Sequence, residues 1–563
     1  MSLHWAGIRG RARADAGPLL LVAGVVALVS ALAGAVPVLA RDTADAAVRD
    51  AVHRAGAQAD TTVTAVWEPD FGQTGRVRMP RLAEDLDDLS ARALDELGET
   101  LRQVMRPPVA SVLSQSLKVT DGSAGRTLRM AYLSSAAGGP RVEWVAGAEP
   151  PATEEGQLEV RPEPPWRVHI GLSEAAATAM GVQPGAVLTI TDDRGAPKNV
   201  RVSGIFRPAD PADPAWRLAP WLLEPVADAD GRGTSRVGGL LSAASLPDAR
   251  LAFDENQLRR TVTFSPDPDR LTWAAVQRIV DSSVQLEATS ASSAGSYGGA
   301  ISWQSGIDSV LKEVARQVRA ATVQASVLLT SVLAGAALVL LLAAELVVRR
   351  RSAALVLGRQ RGVSLPAIAT ELLLESLTVA VAAAAAGGAV AFAVTGSVEW
   401  AWTVPVLLVA ATAVPAYATV VAARATSDRR APANRAARRW IAVTAMLRRL
   451  AAELTVLTAA ALALIALHQR GLESGLPAVA PTLAVLAGGL VLVRVLPPVT
   501  GAGLRLALRS RRPLPVFGTA QAAAVSRRVL PVLALSGSAA LATFALVLGA
   551  TVDRGLEDGA RVT

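Results

Sequence analysis

The stretch that decides the fold runs from Arg349 to Gly388, RRRSAALVLGRQRGVSLPAIATELLLESLTVAVAAAAAGG. The arginines Arg349, Arg350 and Arg351 close one long apolar segment. A short amphipathic piece follows, and a second apolar segment begins after Pro366. Arg359, Arg361 and Gly362 lie in the middle piece, while Glu371 and Glu375 open the next apolar helix. This pattern predicts a cytoplasmic elbow, residues 349–367, joining two membrane helices and shaped to be held by a soluble partner.

Composition extends that reading to the whole chain. Of 563 residues, 51% are hydrophobic and only 4% aromatic. A soluble chain of this length would form several domains. Here the apolar residues cluster in runs of about 20, the length that crosses a hydrocarbon core of roughly 30 Å. The formal charge of +8 is unevenly placed. Arg41 to Arg319 holds 37 acidic and 30 basic residues, and the rest of the chain holds 11 and 26. A basic excess spread over a domain would suggest nucleic acid. An excess between apolar runs follows from positive-inside topology instead, so no nucleic-acid partner is read. The chain has no cysteine, which excludes disulfides and thiol chemistry.

The arginines also orient the chain. Arg9, Arg11 and Arg13 precede the first apolar run, Pro18 to Ala40, and eight arginines lie between Arg424 and Arg449. Seven more lie between Arg494 and Arg528, whereas the two short turns on the other side receive only Arg470. The first run ends in Val38-Leu39-Ala40, which resembles a signal cleavage site, but it is longer than the ~7–15 residues of a signal h-region. A retained helix is the better reading. Later spans are expected at Ile368–Thr395, Val404–Ala423, Leu450–Leu467, Pro477–Leu496 and Val529–Ala550. Leu450–Leu467 is only just long enough. The expected fold is therefore a polytopic α-helical membrane protein of about seven transmembrane helices. A large mixed α/β extracytoplasmic domain is inserted after the first helix, with the N-terminus cytoplasmic in a multi-pass cell-membrane protein.

Five regions follow: 1–40, the first helix; 41–320, the extracytoplasmic domain with a stalk helix; 321–426, three helices around the elbow; 427–496, a basic loop and two helices; and 497–563, a basic segment and the seventh helix. Within the second region, Leu82, Leu86, Leu89, Ala93, Leu97 and Leu101 recur at helical spacing, predicting one amphipathic helix over Arg81–Met105. Pro107-Pro108 stops it. Glu149–Pro165, rich in proline, reads as a linker or exposed loop. Val187–Thr191 and Val200–Phe206 read as strands joined at Asp193-Arg194-Gly195, and Ser173 as the N-cap of a short helix. Ile301–Ala325 reads as a helix running unbroken into the apolar stretch Thr322–Val348. Such a connection could transmit motion or be a plain stalk.

Several chemistries are excluded. None of the three lysines follows a glycine, so there is no phosphate-binding GxxxxGK[ST] loop. There is no GxSxG elbow. The four histidines are scattered, so neither a zinc site nor any cofactor is read. Nearly all carboxylates of the second region read as ordinary solvated surface. Glu371 and Glu375 stand ~8 and ~14 Å along their helix from Pro366, and their four-residue spacing puts them on one face. A charge at that depth faces protein or water. It serves either as a proton or cation site, or as a packing contact or pair with the arginines below. The structural alternative is preferred, because no second acidic residue lies mid-helix to complete a relay.

At the elbow the chain resembles the FtsX-like, or MacB-like, permeases of ABC transporters. RRRSAALVLGRQRGVS followed by ELLLESLTVAVAAAAAGG is similar to the family's basic helix, R-x-R-G-x-S, glutamate and glycine pattern. Glu375 matches its glutamate and Gly387-Gly388 its later small residues. The acidic residue usual just after the arginines is replaced by Ser352 and Ala353. Val168–Phe206 is similar to the strand-rich part of the family's outer domain. Arg511–Ala550 looks like the opening of a second unit, so the chain, ending at Thr563, reads as shortened relative to the larger actinobacterial-type members.

The resemblance implies a non-enzymatic permease subunit working with an ATP-binding cassette ATPase subunit in membrane lipid. A second copy or a second permease polypeptide would complete it. ATP hydrolysis on the partner would move the elbow and, through the helices, the outer domain, exporting or extracting a lipid, lipoprotein or peptide. The implied ATPase contacts are Arg350, Arg351, Arg359, Arg361, Gly362, Arg511 and Arg512. Glu371, Glu375, Gly387 and Gly388 would pack helices. Two other readings remain: a proton-coupled secondary transporter using the glutamates, and a membrane-anchored sensor or scaffold.

Overall fold

The computed structural model describes residues 16–120, 125–135, 138–160, 166–227, 234–254, 257–293, 301–427, 434–470, 476–509, 513–526 and 529–562. The chain divides into two compact units, Asp45–Arg316 and Met1–Ala44 with Gln317–Thr563.

In the helical unit and its continuations, seven helices among the described residues are long and apolar enough to cross a membrane. They are Ala16–Ala59, Ile307–Gln360, Leu365–Thr395, Val404–Arg424, Arg439–Gln469, Val479–Ala507 and Val529–Thr551. The fifth belongs to a 36-residue helix, Arg435–Arg470, so the short run Leu450–Leu467 is the apolar part of a longer element.

The amphipathic piece after Arg351 is not separate. It forms the last turns of a 54-residue helix, Ile307–Gln360, because its only weak helix former, Gly358, is tolerated at a cost of about 1 kcal/mol. The helix stops where Gly362 turns left-handed at φ 93°. There Val363 N donates to Gly358 O at 3.1 Å and Gly362 N to Arg359 O at 3.1 Å, the paired bonds that close a helix C-terminus. Ser364 starts the next helix, its Oγ accepting from Ala367 N at 3.3 Å, with a proline in the first turn. The expected elbow is thus a tight turn from Arg361 to Ser364.

Two apolar clusters hold this hairpin. Val22, Val26 and Val29 of the first helix pack with Leu340, Ala380 and Val406. Val347 and Val348 pack with Ile368, Leu372, Val414 and Ala418. Alanine at so many of these positions lets helix backbones approach closely, which suits packing between apolar helices.

The second unit is β-rich. Six strands hydrogen-bond into a closed ring in the order Arg126–Ser135, Ser235–Leu240, Arg167–Ser173, Pro197–Pro208, Val187–Thr191 and Leu117–Val119, returning to Arg126–Ser135. The ring closes at the single pair Leu240 with Gly171. The second half of Arg126–Ser135 also pairs with Val109–Ser114, from which the sheet continues through Leu258–Phe264 and Thr61–Ala65 to Ile301–Ser305. Val187–Thr191 alternates exposed and buried residues, with Leu188 and Ile190 buried, as a half-buried strand requires. Ser173 caps Glu174–Met180, accepting from Ala176 N at 3.1 Å.

Three expectations for this unit need correction. The helix expected over Arg81–Met105 is two, Leu82–Glu96 and Gly98–Arg102. Gly98 at φ 74° breaks it, although every leucine of the predicted stripe is buried. Ile301–Ser305 is a strand on Thr61–Ala65, and the helix begins only at Ile307. Between them Gly306 approaches so closely that a Cβ there would lie 1.8 Å from Gln58 O. Within the proline-rich segment, Leu158–Val160 pairs with Arg76–Arg78, and residues 161–165 lie outside the described residues.

Candidate functional site

The residues singled out in sequence gather around the hairpin of Ile307–Gln360 and Leu365–Thr395. Consecutive helical residues point about 100° apart, so the three arginines diverge. Arg349 pairs with Glu345 one turn back. Arg350 is exposed. Arg351 turns inward and grips Glu375, Nη1 to Oε2 and Nη2 to Oε1, both at 2.8 Å. The two side chains are only 10% and 6% exposed. A planar guanidinium matched to a carboxylate in two parallel bonds is the strongest ion-pair geometry available to side chains. Arg351 therefore does not share a surface with Arg350. Glu375 and Glu371, expected on one face, differ: Glu375 is buried and Glu371 exposed.

At the turn, Arg359 Nη1 donates to Val363 O at 2.6 Å. This bond ties the end of one helix to the start of the next. Arg361 and Gly362 are exposed, and beside them Leu357 and Val363 are 48% and 42% exposed. The tip thus presents Arg361 with two aliphatic side chains on a backbone fixed by a helix stop and an N-cap, while the exposed Arg350 stands about 16 Å back along the first helix of the hairpin. Arg511 and Arg512 lie outside the described residues.

Gly387 and Gly388 fit close contacts farther along the second helix. A Cβ on Gly387 would lie 2.2 Å from Ala27 O of the first helix, and one on Gly388 2.5 Å from the Trp400 ring.

Sequence reading missed Glu345. It is 6% exposed, and its Oε2 is buried with no hydrogen-bond partner. It sits one turn before Arg349, and that four-residue spacing was the available signal. Asp248 and Asp70 are exceptions to the solvated surface expected for nearly all carboxylates of residues 41–320. Asp248 is wholly buried and receives Arg78 Nε at 2.7 Å, Trp166 Nε1 at 3.0 Å and Thr153 N at 2.7 Å. Asp70, 1% exposed, receives Arg76 Nη2 at 2.5 Å. Buried charges require this satisfaction, and no local pattern announces partners 170 positions apart. Among the described residues, no group of three or more histidines or carboxylates is placed to hold a metal ion.

No protein-family model and no curated protein matches this chain.

Proposed function

We propose that the chain is the permease subunit of an ABC transporter, a multi-pass cell-membrane protein with its N-terminus cytoplasmic and its β-rich unit extracytoplasmic. A separate ATP-binding cassette subunit binds and hydrolyses ATP. It grips the hairpin tip, and movement of the tip is passed along the helices to the β-rich unit, which exports or extracts a lipid, lipoprotein or peptide. The observation that carries this reading is the tip itself. Its exposed Arg361, Leu357 and Val363 lie at a turn whose backbone ends are both fixed, and the exposed Arg350 lies farther back on the same helix. Anchoring to lipid headgroups needs arginine charge alone. Exposed aliphatics on a fixed turn add apolar area that a protein partner would bury.

The arginine distribution supports the sidedness, since short arginine-rich loops remain on the cytoplasmic side. Glu375 gives little support to a proton-coupled alternative. A relay carboxylate exchanges protons with water or a neighbouring base, whereas both oxygens of Glu375 are held by Arg351 in a buried site.

The test is purification of the tagged chain from its native membrane in mild detergent, with mass spectrometry of what accompanies it. A stoichiometric P-loop ATPase is the expected result. A folded, membrane-inserted protein that brings none would overturn the proposal.

A further inference from the structure

The β-rich unit contains a pocket of about 200 Å³ that the proposed function does not use. Its floor is Trp67, Arg250 and Arg260, which are 5%, 3% and 6% exposed. The guanidinium carbons stand 6.0 and 5.0 Å from the Trp67 ring, within cation–π range. Asp70 lies 3.5 Å from Arg250. Among the described residues, no carboxylate stands within ion-pair distance of Arg260, and Asp85 and Glu68 act on it only at longer range. Arg260 Nη2 donates to Val66 O, and its Nε is buried with no hydrogen-bond partner. A buried charged donor left without an acceptor is costly, so an acceptor arriving at the floor is favoured.

The rim has the opposite character. Glu68, Asp85 and Asp88 line it as exposed carboxylates, accompanied by Arg92. A simple anion would pass three carboxylates to reach the floor, and a simple cation would meet two guanidiniums there. A molecule carrying both charges, anionic end first, satisfies both levels. The volume is below the roughly 300–1,000 Å³ of pockets for drug-sized ligands, which restricts the occupant to a few heavy atoms.

We propose that this pocket binds a small zwitterion of the α-amino acid class, its carboxylate on Arg260 Nε and its ammonium among Glu68, Asp85 and Asp88. The proposal stands independently of the transporter reading.

The test is isothermal titration of the detergent-solubilised full chain with glycine, L-alanine and L-glutamate, and with acetate and methylammonium as single-charge probes. At least one amino acid should bind saturably, and each single-charge probe should bind at least about tenfold more weakly, the effect of losing one charged contact. Arg260→Gln should lower amino-acid affinity by about tenfold or more. Asp85→Asn alters an exposed side chain that the fold does not need, and should weaken binding by about threefold. Absence of saturable heat from all three amino acids overturns the proposal. So does acetate binding as tightly as the best amino acid, or unchanged affinity in Asp85→Asn.

Discussion

Arg351 and Glu375 stand 24 positions apart on the two helices of one hairpin, joined by two parallel hydrogen bonds of 2.8 Å in a buried site. The pair stands about one turn from Val347 on the first helix and from Leu372 on the second, both members of one apolar cluster. It fixes the rotation of each helix about its axis, because only one face of each can present its charge to the other. That rotation also decides which arginine remains outside: with Arg351 turned inward, Arg350 is exposed.

The pair makes the hairpin sensitive to single substitutions. Breaking a buried ion pair leaves one charge uncompensated, at about 3–5 kcal/mol. Glu375→Gln and Arg351→Gln should each lower the thermal midpoint of the detergent-solubilised protein by several degrees. The double change Arg351→Met with Glu375→Leu should lower it less than either, since it strands no charge. Thermal unfolding followed by intrinsic fluorescence checks this, and a double variant no better than the singles would refute the uncompensated-charge argument.

Gly387 should tolerate no side chain. A Cβ there would lie 2.2 Å from Ala27 O and 2.9 Å from Ser30 Cβ, so the two helices would have to separate. Overpacking costs about 1–3 kcal/mol, and the shift should exceed the gain of about 1 kcal/mol from replacing a helical glycine with alanine. Gly488→Ala is the control, because nothing lies within 4 Å of a Cβ at that helical position. Size-exclusion profiles and thermal midpoints should worsen for Gly387→Ala and hold or improve for Gly488→Ala.

Much of the helical architecture was legible because it rests on local quantities. Run length predicts membrane-length helices, and the second apolar segment of the hairpin is read as beginning after Pro366 from composition alone. What escaped the sequence depends on distant partners or on helix rotation. Ile301–Ser305 has apolar residues compatible with a helix, and becomes a strand because Thr61–Ala65 offers it an edge. Arg350 and Arg351 are identical neighbours, and only the packed helix distinguishes the exposed one from the buried one. The floor of the Trp67 pocket unites Trp67, Arg250 and Arg260, a juxtaposition that exists only once the sheet has formed.

Asp60 supplies a pH dependence in the β-rich unit. Burial pushes its carboxyl above the usual range, and Ser265 and Arg217 offset this only in part. Its Oδ1 is buried with no hydrogen-bond partner. In the folded protein Asp60 therefore holds its proton to higher pH than in the unfolded chain, so its cost is absent below the unfolded value of about 3.9 and is complete above the folded one. Asp60→Asn should match the parent near pH 4 and exceed it in thermal midpoint at pH 7. Circular dichroism melts across that range measure the difference, and equal midpoints at pH 7 would rule the effect out.

The hairpin tip offers the sharpest separation of binding from folding. Arg359 is a poor choice for probing a partner, because its guanidinium holds Val363 O at 2.6 Å and its loss would disturb the turn. Arg350 and Arg361 are exposed, and exposed charges contribute about 0–1 kcal/mol to stability. Arg350→Glu with Arg361→Glu should therefore leave the thermal midpoint within a degree or two of the parent. Under the proposed function it should also remove the co-purifying ATPase, since reversing charge at a docking surface replaces attraction with repulsion worth several kcal/mol. Leu357→Ser with Val363→Ser should weaken the same association through loss of apolar contact, again with little change in melting. If both double variants keep the ATPase at parental stoichiometry, the partner does not grip this tip and its arginines serve only to anchor the turn at the membrane surface.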